Sequence, residues 1–221
     1  MRSAILAALL GSVALPCAAA NITVYRDQIP PVIFVDGFLE FQDAWIFKDK
    51  TEGLKNALVK LRSRGGQISA AIAMGTRIRR LQFATEVWQT CQSACGLIWL
   101  AGAERYLPPG TTLGFHQPKD VNTGGVSTSS VARSSVYLGQ LGLSDQAITF
   151  IVSAPPDEMK WITSAAEAET VGISVTPPLL MGQPSVPSPK PLVLPGRMRT
   201  RGPLPPWPST SEPSTVKPEN N

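Results

Sequence analysis

TCQSACGLIWLAG, residues 90–102, is the stretch on which the fold turns. From Ala94 to Ala101 every position is apolar or glycine, so a helix here has no polar face to offer water and must be buried on all sides. A helix of that kind needs structure packed around it. Just before it, residues 83–88 alternate and read as a strand; after it, residues 105–107 and 112–115 read as strands around the turn Pro108-Pro109-Gly110.

The same pattern extends outward. Residues 22–25 and 32–35 are short β-branched runs, separated by Pro30-Pro31 and closed by the turn Asp36-Gly37. Residues 43–54 carry Ala44, Phe47 and Leu54 at helical spacing, and residues 57–61 read as a strand ending at Arg64-Gly65-Gly66. In residues 69–81, Ala71, Met74, Ile78 and Leu81 mark one buried helical face. Residues 129–141 and 144–153 predict two more helices, and residues 164–170 a last turn or two before Gly172. Strand and helix alternate along the chain, which predicts an α/β domain with parallel strands and crossover helices.

Composition bounds this domain. Thirteen of the 21 prolines lie in residues 177–221, which therefore predict a disordered Pro/Ser-rich tail with local polyproline II. The net charge of +4 belongs to the ends of the chain: residues 21–176 hold 14 basic and 14 acidic side chains. A nucleic-acid-binding domain would carry a basic stripe on the fold itself, so nucleic acid is not the expected partner. Residues 1–20 read as a signal peptide. Arg2 is the positive region, residues 4–15 are an apolar segment too short to span a bilayer, and Ala18 and Ala20 are the small residues of a cleavage site. Removal after Ala20 predicts Asn21 as the mature N-terminus and a periplasmic or secreted protein with no integral membrane segment after processing. A lipoprotein cut before Cys17 is disfavoured by Pro16.

The chemistry available is narrow. His116 is the one histidine, so an imidazole base must be His116, and a multi-histidine metal site or a Cys2His2 zinc site is excluded. There is no GxGxxG fingerprint and no Walker loop, and the reading calls for no cofactor and no metal. Ser93 lies at the expected start of the buried helix, where its hydroxyl either caps the helix or serves as a nucleophile. Gly65-Gly66 lies between a strand and a helix, with N–H groups able to face an anion. After processing, Cys91 and Cys95 are the remaining cysteines. They are either two small buried residues or a disulfide, for which a spacing of four places the Cα atoms roughly 6 Å apart, within range.

The segments RGGQISAAIAMGTRI, CQSACGLIWLAG and GTTLGFHQP, in that order, resemble the proteolytic subunit of the Clp protease. They are more similar still to the exported, periplasmic branch of the Clp-protease/crotonase-like superfamily, and SAAEAETVGI is similar to its closing helix. The resemblance spans residues 32–174. It implies a Clp-protease/crotonase-like fold over residues 21–176, with Ser93 as nucleophile and His116 as general base. It also implies oxyanion donors from Gly65, Gly66 and Ala94. Two departures stand out. Arg64 replaces the proline usual before the Gly-Gly pair, and Lys160 occupies the position of the triad's aspartate, with Asp157 and Glu158 offset from it. The function implied is a secreted serine-type hydrolase acting on peptide or protein substrates. The alternative is a catalytically inactive Clp-like scaffold or binding protein of the cell envelope; a homo-oligomer is compatible with either. A crotonase-like acyl-CoA enzyme and an ATPase-coupled protease are disfavoured by export, since acyl-CoA and ATP are cytosolic.

Overall fold

The structure is a computed structural model and describes residues 19–177. Most of the expected signal peptide and all but the first residue of the expected tail lie outside the described residues. The elements are β1 (Asn21–Tyr25), β2 (Val32–Asp36), α1 (Asp43–Lys50), β3 (Leu58–Ser63), α2 (Ile68–Leu81), β4 (Ala84–Gln92) and α3 (Ala94–Leu100). They continue with β5 (Arg105–Tyr106), β6 (Thr112–Phe115), α4 (Thr128–Gln140), α5 (Asp145–Ile151), β7 (Lys160–Ile162) and α6 (Ala165–Thr170). The strands form one sheet in the order β1-β2-β3-β4-β6-β7, with β5 also paired to β4.

The expected parallel arrangement holds in the middle of the sheet, where β2, β3, β4 and β6 run parallel. It fails at both edges. β1 pairs antiparallel with β2, because the residues between them are too few for a crossover helix. β7 pairs antiparallel with β6 and matches no expected element. Three residues are too short to show a period, and pairing with the open edge of β6 makes them a strand. The helix expected over residues 43–54 stops at Lys50, where the Thr51 hydroxyl donates back to the Phe47 carbonyl at 2.6 Å and Gly53 turns the chain at φ +76°.

α3 is buried along its whole length, as its composition requires. The indole N–H of Trp99 donates to the Tyr106 carbonyl at 3.1 Å, so the largest core side chain carries no unpaired polar group. α2 turns Ala70, Ala71, Met74, Gly75 and Ile78 inward. Burying side chains the size of Met74 and Ile78 contributes about 1.5–3 kcal/mol each. Gly75 leaves room for Tyr137 of α4, whose hydroxyl donates to the Leu97 carbonyl at 3.2 Å and ties three helices together.

β4 outruns the expected strand by four residues, reaching Gln92 instead of Trp88. Leu61 pairs with Val87 but Ser63 pairs with Cys91, so β4 carries extra residues opposite Arg62, and Gln89 there adopts φ 80°. A bulge bends a strand and re-aims the chain beyond it. The residue immediately beyond β4 is Ser93.

Candidate active site

Ser93 is the hinge between β4 and α3, with φ 53° and ψ −123°. A non-glycine residue held in such a region costs on the order of 1–3 kcal/mol and persists only when its surroundings enforce it. Three features do so. The Ser93 N–H donates to the Gly114 carbonyl at 2.8 Å. Cys91 and Cys95 are joined by a disulfide across a Cα separation of 5.3 Å, bracketing the hinge. Gly65 presses against the serine so closely that a Cβ there would lie 2.8 Å from the Ser93 Cβ. The helix-cap alternative for Ser93 does not hold. Its side chain makes no cap hydrogen bond, and its backbone is not in the extended region a capping residue adopts.

His116 follows β6, and its Nδ1 lies 2.9 Å from the carbonyl oxygen of Pro156. A carbonyl only accepts, so Nδ1 carries the proton and Nε2 is left as the acceptor, the form a general base needs. Ser93 and His116 line one cleft together with Ile68, Ala94, Leu97 and Ile151. No hydrogen bond joins the two side chains among the described residues. Such bonds are often loose in an empty site and tighten around substrate.

The glycine turn departs from expectation in one respect. The Gly65 N–H donates to the Ser63 hydroxyl at 3.0 Å, so it is not available to an oxyanion. The N–H groups of Gly66 and Ala94 have no acceptor among the described residues. Of the three expected donors, Gly66 and Ala94 keep an N–H without an acceptor among the described residues, and Gly65 is the residue small enough to let the turn touch Ser93. Its φ of +96° and the +136° of Gly66 are conformations that suit glycine alone. Leu39 holds the turn from outside, donating its N–H to the Gly65 carbonyl and accepting from the Gln67 N–H, both at 2.8 Å. Arg64 is exposed and lines a separate cleft with Asp36, Phe38 and Arg62, whose walls do not include Ser93.

None of the three charged candidates orients His116. Lys160 donates to the Ser153 hydroxyl at 2.7 Å and lies over the Phe150 ring. Asp157 pairs with Lys119 at 2.9 Å on the surface, and Glu158 is exposed. The group that His116 Nδ1 meets is instead the Pro156 carbonyl, one residue before Asp157. Sequence reasoning had no access to it, because every residue carries a carbonyl. Two further residues were missed. Ser63 could have been found as a hydroxyl two positions before Gly65. Ser134 of α4 lines the cleft with a buried hydroxyl that has no partner among the described residues.

A mixed sheet whose bulged central strand delivers a strained serine to a buried helix, opposite a histidine at the end of the next strand, defines the Clp-protease-like fold. Among solved structures the chain is similar to ClpP1 from Listeria monocytogenes, with a TM-score of 0.51 and 19% identity over 65% of this chain and 88% of that one. It is also similar to a serine-to-alanine mutant of 1510-N, a membrane-bound stomatin-specific protease, with a TM-score of 0.50 and 16% identity over 64% of this chain and 75% of that one. At these identities the likeness shows the fold. No protein-family model and no curated protein matches the sequence.

Proposed function

We propose that the chain is an exported serine peptidase that works with a Ser–His pair and a backbone acceptor in place of the third, acidic member. The observation that carries this reading is the bond from His116 Nδ1 to the Pro156 carbonyl, which leaves Nε2 as a base in the cleft that Ser93 lines. In the reaction, Ser93 Oγ attacks the peptide carbonyl as Nε2 takes its proton. The tetrahedral oxyanion is met by the N–H groups of Gly66 and Ala94. His116 then passes the proton to the departing amine, and water, deprotonated by the same nitrogen, hydrolyses the acyl-enzyme. Export is supported by the signal-peptide pattern of residues 1–20 and by the cysteine pair that an oxidising compartment would bridge.

A neutral carbonyl fixes the tautomer of His116 as an aspartate would, but stabilises the imidazolium less. Hydrogen bonds to charged groups are about twice as strong as neutral ones, a difference of roughly 1–1.5 kcal/mol, or about tenfold in rate. The enzyme is therefore expected to be slow, and an irreversible probe suits it better than turnover. A fluorophosphonate should label Ser93, and Ser93→Ala and His116→Ala should each abolish labelling in a folded protein. The double variant should be no worse than either, because nucleophile and base act as a unit. Absence of labelling in folded, processed wild-type protein would leave the scaffold reading.

A further inference from the structure

Asp43 opens α1 and is fully buried. Its Oδ2 accepts from the Glu40 N–H at 2.7 Å and from the Ala20 N–H at 3.2 Å, while Oδ1 has no partner among the described residues. None of the ion pairs among the described residues includes it. An ionised carboxylate removed from water with one oxygen bare and no counter-charge is strongly unfavourable. The group facing it from β1's end of the chain is not a side chain but the backbone nitrogen of Ala20, a residue itself packed into the core.

We propose that Ala20 is the N-terminal residue of the processed protein and that its α-ammonium is the buried counter-ion of Asp43. This rests on the export reading above. Hydrolysis of the Ala19–Ala20 bond by a signal-cleaving peptidase consumes one water and leaves a carboxylate on Ala19 and an amine on Ala20. That amine takes a proton near neutral pH, its ordinary pKa being about 7.7–8.0. One amide N–H directed at Oδ2 thereby becomes three charged donors on the same nitrogen, enough to serve Oδ1 as well and to neutralise the acid.

The sequence pattern allows this cut. It places Ala19 and Cys17 at the two small-residue positions, whereas the cut expected from sequence, before Asn21, uses Ala20 and Ala18. Asp43 distinguishes the two. Cutting after Ala20 removes the atom that faces the acid, leaves Oδ2 with one donor, and takes a methyl out of the core. The peptidase acts on an unfolded chain, so the fold does not choose the bond; a cut before Ala20 gives up the isolated bridge between Ala19 and Phe38 but keeps the Ala20 nitrogen on the acid. The same carboxylate anchors the Glu40 N–H beside Leu39, the residue that holds the Gly65-Gly66 turn.

The precursor should be exported from a bacterial host and the N-terminus of the recovered protein read by intact mass and sequencing; Ala20 is expected. Chains running from Ala20 or from Asn21 to Asn221 should then be melted with and without Asp43→Asn, beside an Ala20 chain acetylated at its terminus. The Ala20 chain should melt about 6–20 °C above the Asn21 chain, from the usual effect of removing one partner of a buried pair. Acetylation should remove most of that difference, and so should Asp43→Asn. Asn21 as the observed terminus, equal melting of the two chains, or a difference that survives Asp43→Asn or acetylation overturns the proposal alone. An intact Met1 overturns the export reading with it.

Discussion

Ser63→Ala separates the glycine turn's part in the chemistry from its part in the fold. Ser63 is 3% exposed, and its Oγ accepts from the Gly65 N–H at 3.0 Å. Alanine leaves that N–H buried without an acceptor, which costs about 1–3 kcal/mol. Each kcal/mol moves the melting temperature of a domain of this size by about 2–4 °C, so a fall of about 2–12 °C is expected. Alanine also removes the longer bond, 3.4 Å, from the Ser63 hydroxyl to the Gly65 carbonyl, but that carbonyl keeps its 2.8 Å bond from the Leu39 N–H. The next N–H along, Gly66, is the one assigned to the oxyanion. Complete loss of one such donor costs about 10²–10³ in rate, and a donor held less firmly should cost part of that, about 10- to 100-fold. The assay is the second-order rate of fluorophosphonate labelling, measured well below the melting temperature of each variant, with Ser63→Thr as the rescue because it keeps the hydroxyl. A lowered melting temperature with an unchanged labelling rate would refute the assignment of Gly66. An unchanged melting temperature would refute the Ser63–Gly65 bond itself.

Replacing Cys91 and Cys95 together by alanine opens a loop of only five residues, for which loop entropy predicts a loss of about 2 kcal/mol. Labelling of Ser93 should fall more than this stability change explains, since the bridge brackets the strained hinge; a variant as reactive as wild type would show that the hinge holds without it. Ser134→Ala removes a buried hydroxyl without a partner among the described residues and places a better helix former in α4, so thermal melting should rise by about 2–5 °C. A fall would mean that the hydroxyl is bonded after all. Glu167 is held below the usual carboxylate range by the Thr163 N–H and hydroxyl, which donate to its Oε2 at 2.7 and 2.9 Å. Its contribution is therefore present above the ordinary glutamate range and is lost as pH falls through the depressed value. Glu167→Gln should flatten that acid limb of the stability profile, seen in melts across pH, while an unchanged limb would deny the interaction.

Periodicity along the chain was enough for much of the fold. The all-apolar run of α3, the one-sided face of α2, and the β-branched runs of β1 and β2 each announce their own environment, because burial acts on side chains and side chains are the part of the chain that varies with sequence. The same holds for the proposed nucleophile and base: a serine before a buried helix and a single histidine after a strand are visible as residue types. Most of what the sequence left open is carried by the backbone, which is alike at every residue. The bulge that re-aims β4, the recruitment of Lys160–Ile162 as β7, the bond that takes up the Gly65 N–H and the Pro156 carbonyl on His116 all depend on which groups meet when the sheet closes. Asp43 shows the remaining case. Its residue type suggests a solvated helix start, and only the packing of β1 and α1 removes it from water and sets it against the nitrogen of Ala20, because burial of a charge is a property of the assembled layers and not of its neighbours in the chain.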